Sequence, residues 1–220
     1  MLRYVKEALE LKTTRVGGST TSVPGRRRNP RGQGDRLRDE LVDAASALLA
    51  ESGDMDQLSL RGVARRAGVS APSVYRHFPD VEHLTVAVME RRFPELAAAI
   101  AEARRGVDDP RRALLAGCLA YCRFALDHPG HYRVMFDTRM TAPIQSETGR
   151  RLFEGLARNI EACFDPGEGD GKEDATELAG LLWTSLHGIV ALRINQPNFP
   201  WPPLEKMVEK AVHRLITGTA

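Results

Sequence analysis

Cysteine, aromatic residues and long apolar runs are all scarce in this 220-residue chain. Its three cysteines, Cys118, Cys122 and Cys163, are too few for a disulfide framework, so a reducing compartment is expected. The low aromatic content of 6% and the many Ala and Leu residues favour helices over a sheet. Because the first 11 residues mix charged and apolar side chains, they lack the apolar core of a secretory signal. We therefore expect an all-α, cytoplasmic protein.

The most apolar stretch, residues 178–194, is interrupted by polar groups. It contains His187, Arg193 and two glycines, which are unfavourable in a lipid-facing helix. The stretch is therefore interpreted as a buried helix, and no membrane partner is expected.

Positive charge is concentrated at one end of the chain. Residues 1–33 hold eight Lys/Arg against two acids, a net +6, whereas the whole chain has only +2, which leaves −4 for the other 187 residues. Residues 12–34 combine Gly, Pro, Ser, Thr and Arg with almost no apolar content, so residues 1–33 are predicted to form a disordered basic tail. Its Arg26, Arg27, Arg28 and Arg31 are either solvated or available to a phosphate backbone.

Three short helices are predicted after this tail. Asp35 is a plausible N-cap for a helix that ends near Gly53, and its apolar positions follow the helical period. Ser59 is placed to cap a second helix that stops at Gly68. Ser70 caps a third that carries Val74 and Phe78 and ends before Pro79. A glycine turn between the last two helices is typical of a helix-turn-helix.

The third helix has an unusually polar outer side. On a helical wheel Val74 and Phe78 lie together, whereas Pro72 and Arg76 lie on the opposite side. Small residues at the start of such a helix let it approach base edges, and an arginine fork can donate to guanine or to a phosphate. The alternative is a solvated charged face.

The run LSLRGVARRAGVSAPSVYRHFPDVEHL closely resembles the helix-turn-helix signature of the TetR family. The matching positions are Ser59, Val63, Ala64, Ala67, Gly68, Val69, Ser70, Tyr75, His77 and Phe78. Two departures stand out. Val81 occupies a position where the family typically has a phosphate-contacting lysine, and the segment from Gly53 to Ser59 is one residue longer than usual.

The resemblance implies a homodimeric transcriptional regulator, usually a repressor, with no enzymatic activity and no cofactor. It would comprise a helix-turn-helix DNA-binding domain at residues 34–79 and a larger helical domain for effector binding and dimerisation at residues 80–220. The residues expected at DNA are Ser59, Arg61, Ser70, Ala71, Pro72, Ser73, Tyr75, Arg76 and His77. A small-molecule effector would release the protein from a near-palindromic DNA operator.

In the second part of the chain, the apolar periodicity and the Gly/Pro breaks predict long helices at residues 80–104, 110–128, 129–139, 145–164, 173–195 and 204–217. The last carries one continuous apolar stripe, and the helix before it is apolar nearly all round. Such surfaces require a partner. We expect the helices at 173–195 and 204–217 of two subunits to form an isologous four-helix bundle.

Aromatic and polar side chains among these helices are candidates for an effector pocket, although all could equally be core. They are Tyr121, Phe124, His128, Tyr132, Met135, Phe136, Trp183 and His187. Trp183, His187 and Gly188 also resemble a Trp-x-x-x-His-Gly pattern found in one group of TetR-family C-terminal domains.

Other classes of function have weaker support. Cys118, Cys122, His128 and His131 have the residue types of a zinc site, but their spacing departs from common zinc fingers and the cysteines fit an apolar helix face. The motifs G-x-S-x-G and H-E-x-x-H are absent, as is a phosphate-cradling glycine loop. A helical adaptor without DNA binding is a third reading, motivated by Val81 and the acidic body.

Overall fold

Helices are the regular elements of the part of the chain described by this computed structural model, residues 34–136, 147–164 and 174–217. They are α1 (Gly34–Ser52), α2 (Leu60–Ala67), α3 (Ala71–Tyr75), α4 (Val81–Arg104), α5 (Pro110–Asp127), α6 (Pro129–Met135), α7 (Glu147–Glu161), α8 (Ala175–Asn195) and α9 (Leu204–Thr217). The predicted all-α class is confirmed. The basic tail predicted at residues 1–33 lies outside the described residues.

The first helix forms as its apolar stripe predicts. Leu41, Ala45 and Leu49 are completely buried, and Gly53 follows the helix at φ +63°, a left-handed conformation that glycine adopts without strain. The extra residue between Gly53 and Ser59 is accommodated by a short 3₁₀ helix, Met55–Gln57. The longer loop is therefore ordered and leads directly into α2.

The third helix is shorter than predicted. It ends at Tyr75 instead of Phe78, because the backbone N–H groups of His77 and Phe78 both donate to the Val74 carbonyl and close the helix in a turn. Phe78 nevertheless reaches the core and is 2% exposed, like the fully buried Val74. These two side chains anchor α3, as the wheel predicts.

The long helix α4 connects the three short helices to the rest of the molecule. Asp80 caps it by accepting a hydrogen bond from the His83 N–H at 2.9 Å. Along its length α4 packs against α1, α5, α6 and α7, and its most extensive packing is with α5. The helix thus connects α1 with α5, α6 and α7.

Where the structure describes them, the remaining helices agree with the predicted segments within a few residues. The predicted helical residues 137–139, 145, 146 and 173 lie outside the described residues. Helix α7 ends at Glu161, after which Cys163 and Phe164 continue in a turn. Helix α8 begins at Ala175, because Asp174 caps it by accepting from the Thr176 N–H. Helix α8 packs against α5, α7 and α9.

Helices α1 and α6 approach each other unusually closely. A Cβ added to Gly130 would lie 2.2 Å from the Leu49 carbonyl oxygen, which real structures do not tolerate. Beside this contact the buried His131 Nε2 lies 2.8 Å from Ser46 Oγ, and Arg133 Nη1 donates to the Gly53 carbonyl at 2.8 Å. The end of α1 is therefore held to α6 by backbone contact and by hydrogen bonds.

Candidate DNA-binding surface and ligand cavity

Ser59 begins α2 as the sequence predicts. Its hydroxyl accepts a hydrogen bond from the Gly62 N–H at 3.1 Å, which satisfies one of the free donors at the helix start. Gly68 ends the helix at φ +67°, and its N–H donates to the carbonyls of α2. The glycine turn of the predicted helix-turn-helix is thus present.

Ser70 occupies the N-cap position of α3 but does not cap it through its side chain. Its hydroxyl instead pairs with Ser73 Oγ at 2.9 Å, and Arg76 Nη2 donates to the same Ser73 oxygen at 3.2 Å. Ser70 is therefore the N-cap residue by position, as predicted, but its side chain makes no capping hydrogen bond. The hydroxyl pair orients the guanidinium of Arg76 instead.

The nine residues expected at DNA all reach the surface of α2, α3 and their flanks; we call them the α2–α3 surface. Ser59, Arg61, Ser70, Pro72, Tyr75 and Arg76 are exposed, and Ala71, Ser73 and His77 are half-buried. Tyr75 is 52% exposed, which is unusual for so large an aromatic side chain. The polar face therefore turns to solvent while Val74 and Phe78 occupy the core.

The arginines of this region differ in their pairing. Arg66 donates to both carboxylate oxygens of Glu51, at 2.7 and 2.8 Å. Within the described ranges, Arg61, Arg65 and Arg76 have no carboxylate within ion-pair distance. Arg65 was missed by sequence reasoning, although its i+4 spacing from Arg61 puts both charges on one face of α2.

The start of α4 lacks the positive charge that the family usually carries there. Val81 is half-buried and packs against the core. The neighbouring Asp80 pairs with His83 Nδ1 at 2.8 Å, and hydrogen bonds from the His83 backbone and side chain lower the pKa of its carboxyl group. No lysine side chain is therefore available at this position to bind an anion.

A cavity of about 580 Å³ lies among α4, α5, α7 and α8. Its wall is mainly apolar: Phe93, Leu96, Leu114 and Leu186 are all buried residues that border it. This volume lies within the range of small-molecule sites, which are typically concave and apolar with a few polar groups.

Aromatic rings crowd one end of the cavity. Phe136 lies at the centre of the group, with its ring centroid 5.9 Å from Phe93, 6.3 Å from Tyr121 and 6.5 Å from Trp183. Phe153 contacts Trp183 from α7 at 5.8 Å. Such edge-to-face contacts fix the rings in place and give this end a rigid apolar wall.

Two tyrosines hold His187 behind this wall. The Tyr132 hydroxyl lies 2.6 Å from His187 Nδ1, and the Tyr121 hydroxyl lies 3.1 Å from Nε2. Burial lowers the pKa of His187 to about 4 and raises the pKa of Tyr132 to about 12. Near neutral pH the imidazole is therefore uncharged, with one ring nitrogen donating to one hydroxyl and the other accepting.

The predicted effector residues divide into three groups. Four line the cavity: Tyr121, Met135, Phe136 and Trp183. Two, Tyr132 and His187, contact its aromatic end from behind. The other two, Phe124 and His128, stay outside the lining because the His128 ring packs on Phe124 and donates from Nδ1 to the Phe124 carbonyl.

Sequence reasoning missed the polar end of the cavity. Arg104 and Asn159 border it from α4 and α7, and Arg104 Nη2 donates to Asn159 Oδ1 at 2.6 Å. The signal available in the sequence was the spacing on α4, where the lining residues from Phe93 to Arg104 recur every three or four positions.

The four residues of the zinc alternative are not brought together. In the part of the chain that the structure describes, which includes Cys118, Cys122, His128 and His131, no three metal-binding side chains converge. Burial raises the pKa of both cysteine thiols to about 12, which disfavours the thiolate that zinc binds. His131 bonds to Ser46 instead.

Helix α8 is the one described helix that is long and apolar enough to cross a membrane by length and composition alone, with a mean hydropathy of 1.2. About a third of this stretch, 33%, is buried within the chain. The prediction of a buried helix therefore holds for only one side of α8. Leu181 and Leu192 are 52% and 47% exposed on the other.

Comparisons with known proteins agree with both parts of the molecule. The model of bacterial regulatory proteins of the tetR family matches residues 41–88, and that of the tetracyclin repressor-like C-terminal domain matches residues 114–217. The chain is 32% identical over 193 residues to the HTH-type transcriptional activator FasR of Mycolicibacterium smegmatis. The aligned region covers 88% of this chain and 84% of FasR.

Solved structures show the same fold. A protein of unknown function from Rhodococcus sp. RHA1 superposes with a TM-score of 0.70 at 27% identity, over 89% of this chain and 98% of that one. A TetR-like transcriptional regulator from the same organism gives a TM-score of 0.63 at 20% identity, over 87% and 100%. Taken with the capped helix-turn-helix, the two family models and the 32% identity to FasR establish that the chain belongs to the TetR family, a family of DNA-binding transcriptional regulators and not of enzymes.

Proposed function

We propose that this regulator is a homodimeric repressor that binds a near-palindromic operator through the α2–α3 surface and leaves it when a small molecule occupies the cavity. The observation that carries the proposal is the exposed polar surface of α2 and α3. None of its nine residues is buried, and three exposed arginines on these helices or just after them, Arg61, Arg65 and Arg76, have no carboxylate partner in the described ranges.

Within this surface the side chains divide their roles by reach. Arg76 follows α3, and its fork suits guanine or a phosphate, while Ala71 and Pro72 are small enough to allow the helix start to approach base edges. Tyr75 and His77 suit phosphate oxygens at the groove edge. Arg61 and Arg65 add positive charge from α2. The tail at residues 1–33 would add a sequence-independent contribution.

The exposed side of α8 supports dimerisation. Leu181, Gly188 and Leu192 lie on one face at i, i+7 and i+11, and Met207 and Ala211 of α9 are half-buried. Exposed apolar surface of this kind usually marks an interface. In our proposal the two helices pair with their copies across a two-fold axis. This arrangement would hold the two copies of α3 about 34 Å or more apart.

The coupling between cavity and DNA runs through α4 and α6 in this proposal. Helix α4 supplies one wall of the cavity and packs against α1, while α6 supplies Met135 to the cavity and contacts Leu49 through Gly130. A ligand that binds one arrangement of these helices more tightly shifts the population towards it. The spacing of the two α3 helices would then no longer fit the operator.

Fluorescence anisotropy with DNA from the neighbourhood of its own gene, measured at several salt concentrations, tests the DNA-binding part of the proposal. Tight binding with a steep salt dependence and a large excess over random DNA is expected. Equal affinity for both DNAs would refute the operator and favour a helical adaptor. Sedimentation of the free protein tests the dimer, since a monomer at micromolar concentration would contradict the bundle.

Activation is a second candidate outcome at the promoter. It is favoured by the relative from Mycolicibacterium smegmatis, which is named a transcriptional activator. Transcription in vitro from a promoter that contains the bound DNA distinguishes the two. Less transcript on adding the regulator supports repression, and more transcript supports activation. A small molecule that dissociates the complex should reverse either effect.

A further inference from the structure

Arg104 stands out among the polar groups of the cavity. It is the last residue of α4, and although its Nη2 donates to Asn159 Oδ1, its Nε is buried without a hydrogen-bond partner. No carboxylate of residues 34–136, 147–164 or 174–217 lies within ion-pair distance of its guanidinium. Buried donors are nearly always satisfied in native proteins, so the hydrogen bonding of the Arg104 guanidinium is incomplete.

The other two arginines of the cavity wall are neutralised. Arg150 pairs with Glu147 at 2.8 Å and also with Glu154, and Arg151 pairs with Glu147 at 3.0 Å. Arg104 therefore carries the uncompensated positive charge of the described wall. One such charge matches a monoanion.

The neighbouring helix is shaped to admit this arginine. Gly117 of α5 also borders the cavity, and a Cβ at this position would lie 3.2 Å from Arg104 Cδ and 3.4 Å from Ile100 Cγ2. A larger residue would push the arginine stem aside. Glycine at position 117 thus allows the aliphatic part of Arg104 to pack against α5.

Polarity changes along the length of the cavity. The lining residues of α4 run from Phe93 to Arg104, which at 1.5 Å per residue corresponds to about 16 Å. Phe93 lies at the aromatic end, beside Phe136, and Arg104 lies beside Asn159 at the polar end. A ligand that follows this wall needs an apolar body and one acidic end.

We propose that the cavity binds an apolar monocarboxylate, with its acid group on Arg104 and Asn159 and its body towards Phe136 and Trp183. A carboxylate can accept two parallel N–H bonds from a guanidinium, and the Arg104 side chain borders the cavity without a carboxylate partner among the described residues. The body is either a linear chain or an aromatic ring system, since both suit the wall. This inference rests on the proposed effector role of the same cavity.

Calorimetric titration of the full chain without DNA tests the ligand class. The probes are octanoate and 4-phenylbutanoate, each compared with the alcohol of the same carbon skeleton. At least one acid is expected to bind at least about tenfold more tightly than its alcohol, because a charge-assisted pair is stronger than a neutral one. The tighter of the two acids identifies the kind of body. Equal affinity for acids and alcohols, or no binding of either acid at millimolar concentration, would overturn the proposal.

Arg104→Met locates the acid group. This variant is expected to weaken binding of the better acid by at least about tenfold. Binding of the corresponding alcohol should be unchanged, which also shows that the cavity remains folded. Arg104→Lys should restore part of the preference for the acid. Arg151→Met is the matched control: it removes a paired arginine of the same wall and should leave the acid-to-alcohol ratio unchanged. An unchanged ratio in Arg104→Met refutes the assignment.

Anisotropy with and without the better acid separates this inference from the proposed function. If the acid binds as expected but never changes DNA affinity, the ligand class stands and effector control through this cavity fails. If the protein discriminates its DNA but neither acid binds, the ligand class fails and the regulator stands.

Discussion

The α2–α3 surface and the hydrogen-bonded network of His187 behind the cavity treat polar groups in opposite ways. On the surface, Arg61 and Arg76 are exposed and have no carboxylate partner among the described residues. Behind the cavity wall, His187 is enclosed by two tyrosine hydroxyls and bonded on both ring nitrogens. Exposed, unpaired charge suits a large polyanion that brings its own counter-charge. Enclosed, paired groups suit a small ligand for which shape decides affinity.

This difference explains where each region tolerates change. In our proposal, removing a charge from the surface should alter DNA binding and scarcely alter stability, because an exposed side chain contributes little to folding. Removing a partner from the buried network leaves a polar group unsatisfied and destabilises the fold. The contact between α1 and α6 is buried, so substitutions there are also expected to destabilise the fold.

The largest effect is expected from Gly130→Ala, which disrupts the contact between α1 and α6. The added Cβ would lie 2.2 Å from the Leu49 carbonyl oxygen, and backbone must move to admit it. The free energy of unfolding should fall by about 3 kcal/mol, as measured by urea denaturation. Gly155→Ala is the control, because its Cβ would meet only Arg158 Nη2 at 3.9 Å. Equal changes in the free energy of unfolding of the two variants would show that the contact between α1 and α6 adjusts to the added methyl group at little cost.

Next in size is the loss of an unpaired arginine from the surface. Arg76→Ala should weaken operator binding by roughly 1–3 kcal/mol and relax sequence preference. Arg66→Ala removes an arginine that is already paired with Glu51, so its effect on affinity should be smaller. Anisotropy against specific and random DNA measures both. If Arg76→Ala weakens both DNAs equally, Arg76 contacts phosphate and does not read bases.

A smaller effect on the free energy of unfolding is expected from a change of pH. It arises at His187, in the buried network with Tyr121 and Tyr132. The pKa of His187 is about 4 in the folded chain and about 6.5 in the unfolded chain. Between these values the unfolded state binds more protons, so this contribution to stability is present above pH 6.5 and is lost as the pH falls towards 4. After allowance for partial exposure, the loss is about 1.5 kcal/mol.

Urea denaturation at pH 7 and pH 4.5 measures this loss for wild type and for His187→Gln, in which it should shrink by about that amount. His131, whose pKa is lowered by burial and by Arg92, remains in both proteins, so the difference isolates His187. The exposed His213→Gln serves as the control. An identical pH dependence in wild type and His187→Gln would contradict the assigned protonation state.

The smallest effect compares two serines at helix starts on the surface. Ser59→Ala removes a side-chain cap and should lower the free energy of unfolding by about 1 kcal/mol. Ser70→Ala removes a hydroxyl that bonds to Ser73 instead of capping, so its effect on thermal unfolding should be smaller. A larger loss for Ser70→Ala would reverse the assignment.

Local signals account for what the sequence predicted well. Ser59, Gly68 and Gly53 each act within a few residues, so their caps and turns are readable from spacing. The end of α3 was misplaced because two N–H groups share the Val74 carbonyl, a choice that helical periodicity does not encode. Sequence reasoning identified residues at the aromatic end of the cavity but missed its polar end. Arg104 meets Asn159 across 55 positions, and no local pattern pairs them.

The contact at Gly130 also bears on how freely parts of related proteins can be exchanged. Since hydrogen alone separates the start of α6 from the Leu49 carbonyl, the two halves of the chain must match to within a few tenths of an ångström. A chimera that takes α1–α3 from one relative and the rest from another would inherit this fit only if both parents share the glycine and the path of α1. Their exchangeable unit is therefore larger than the helix-turn-helix.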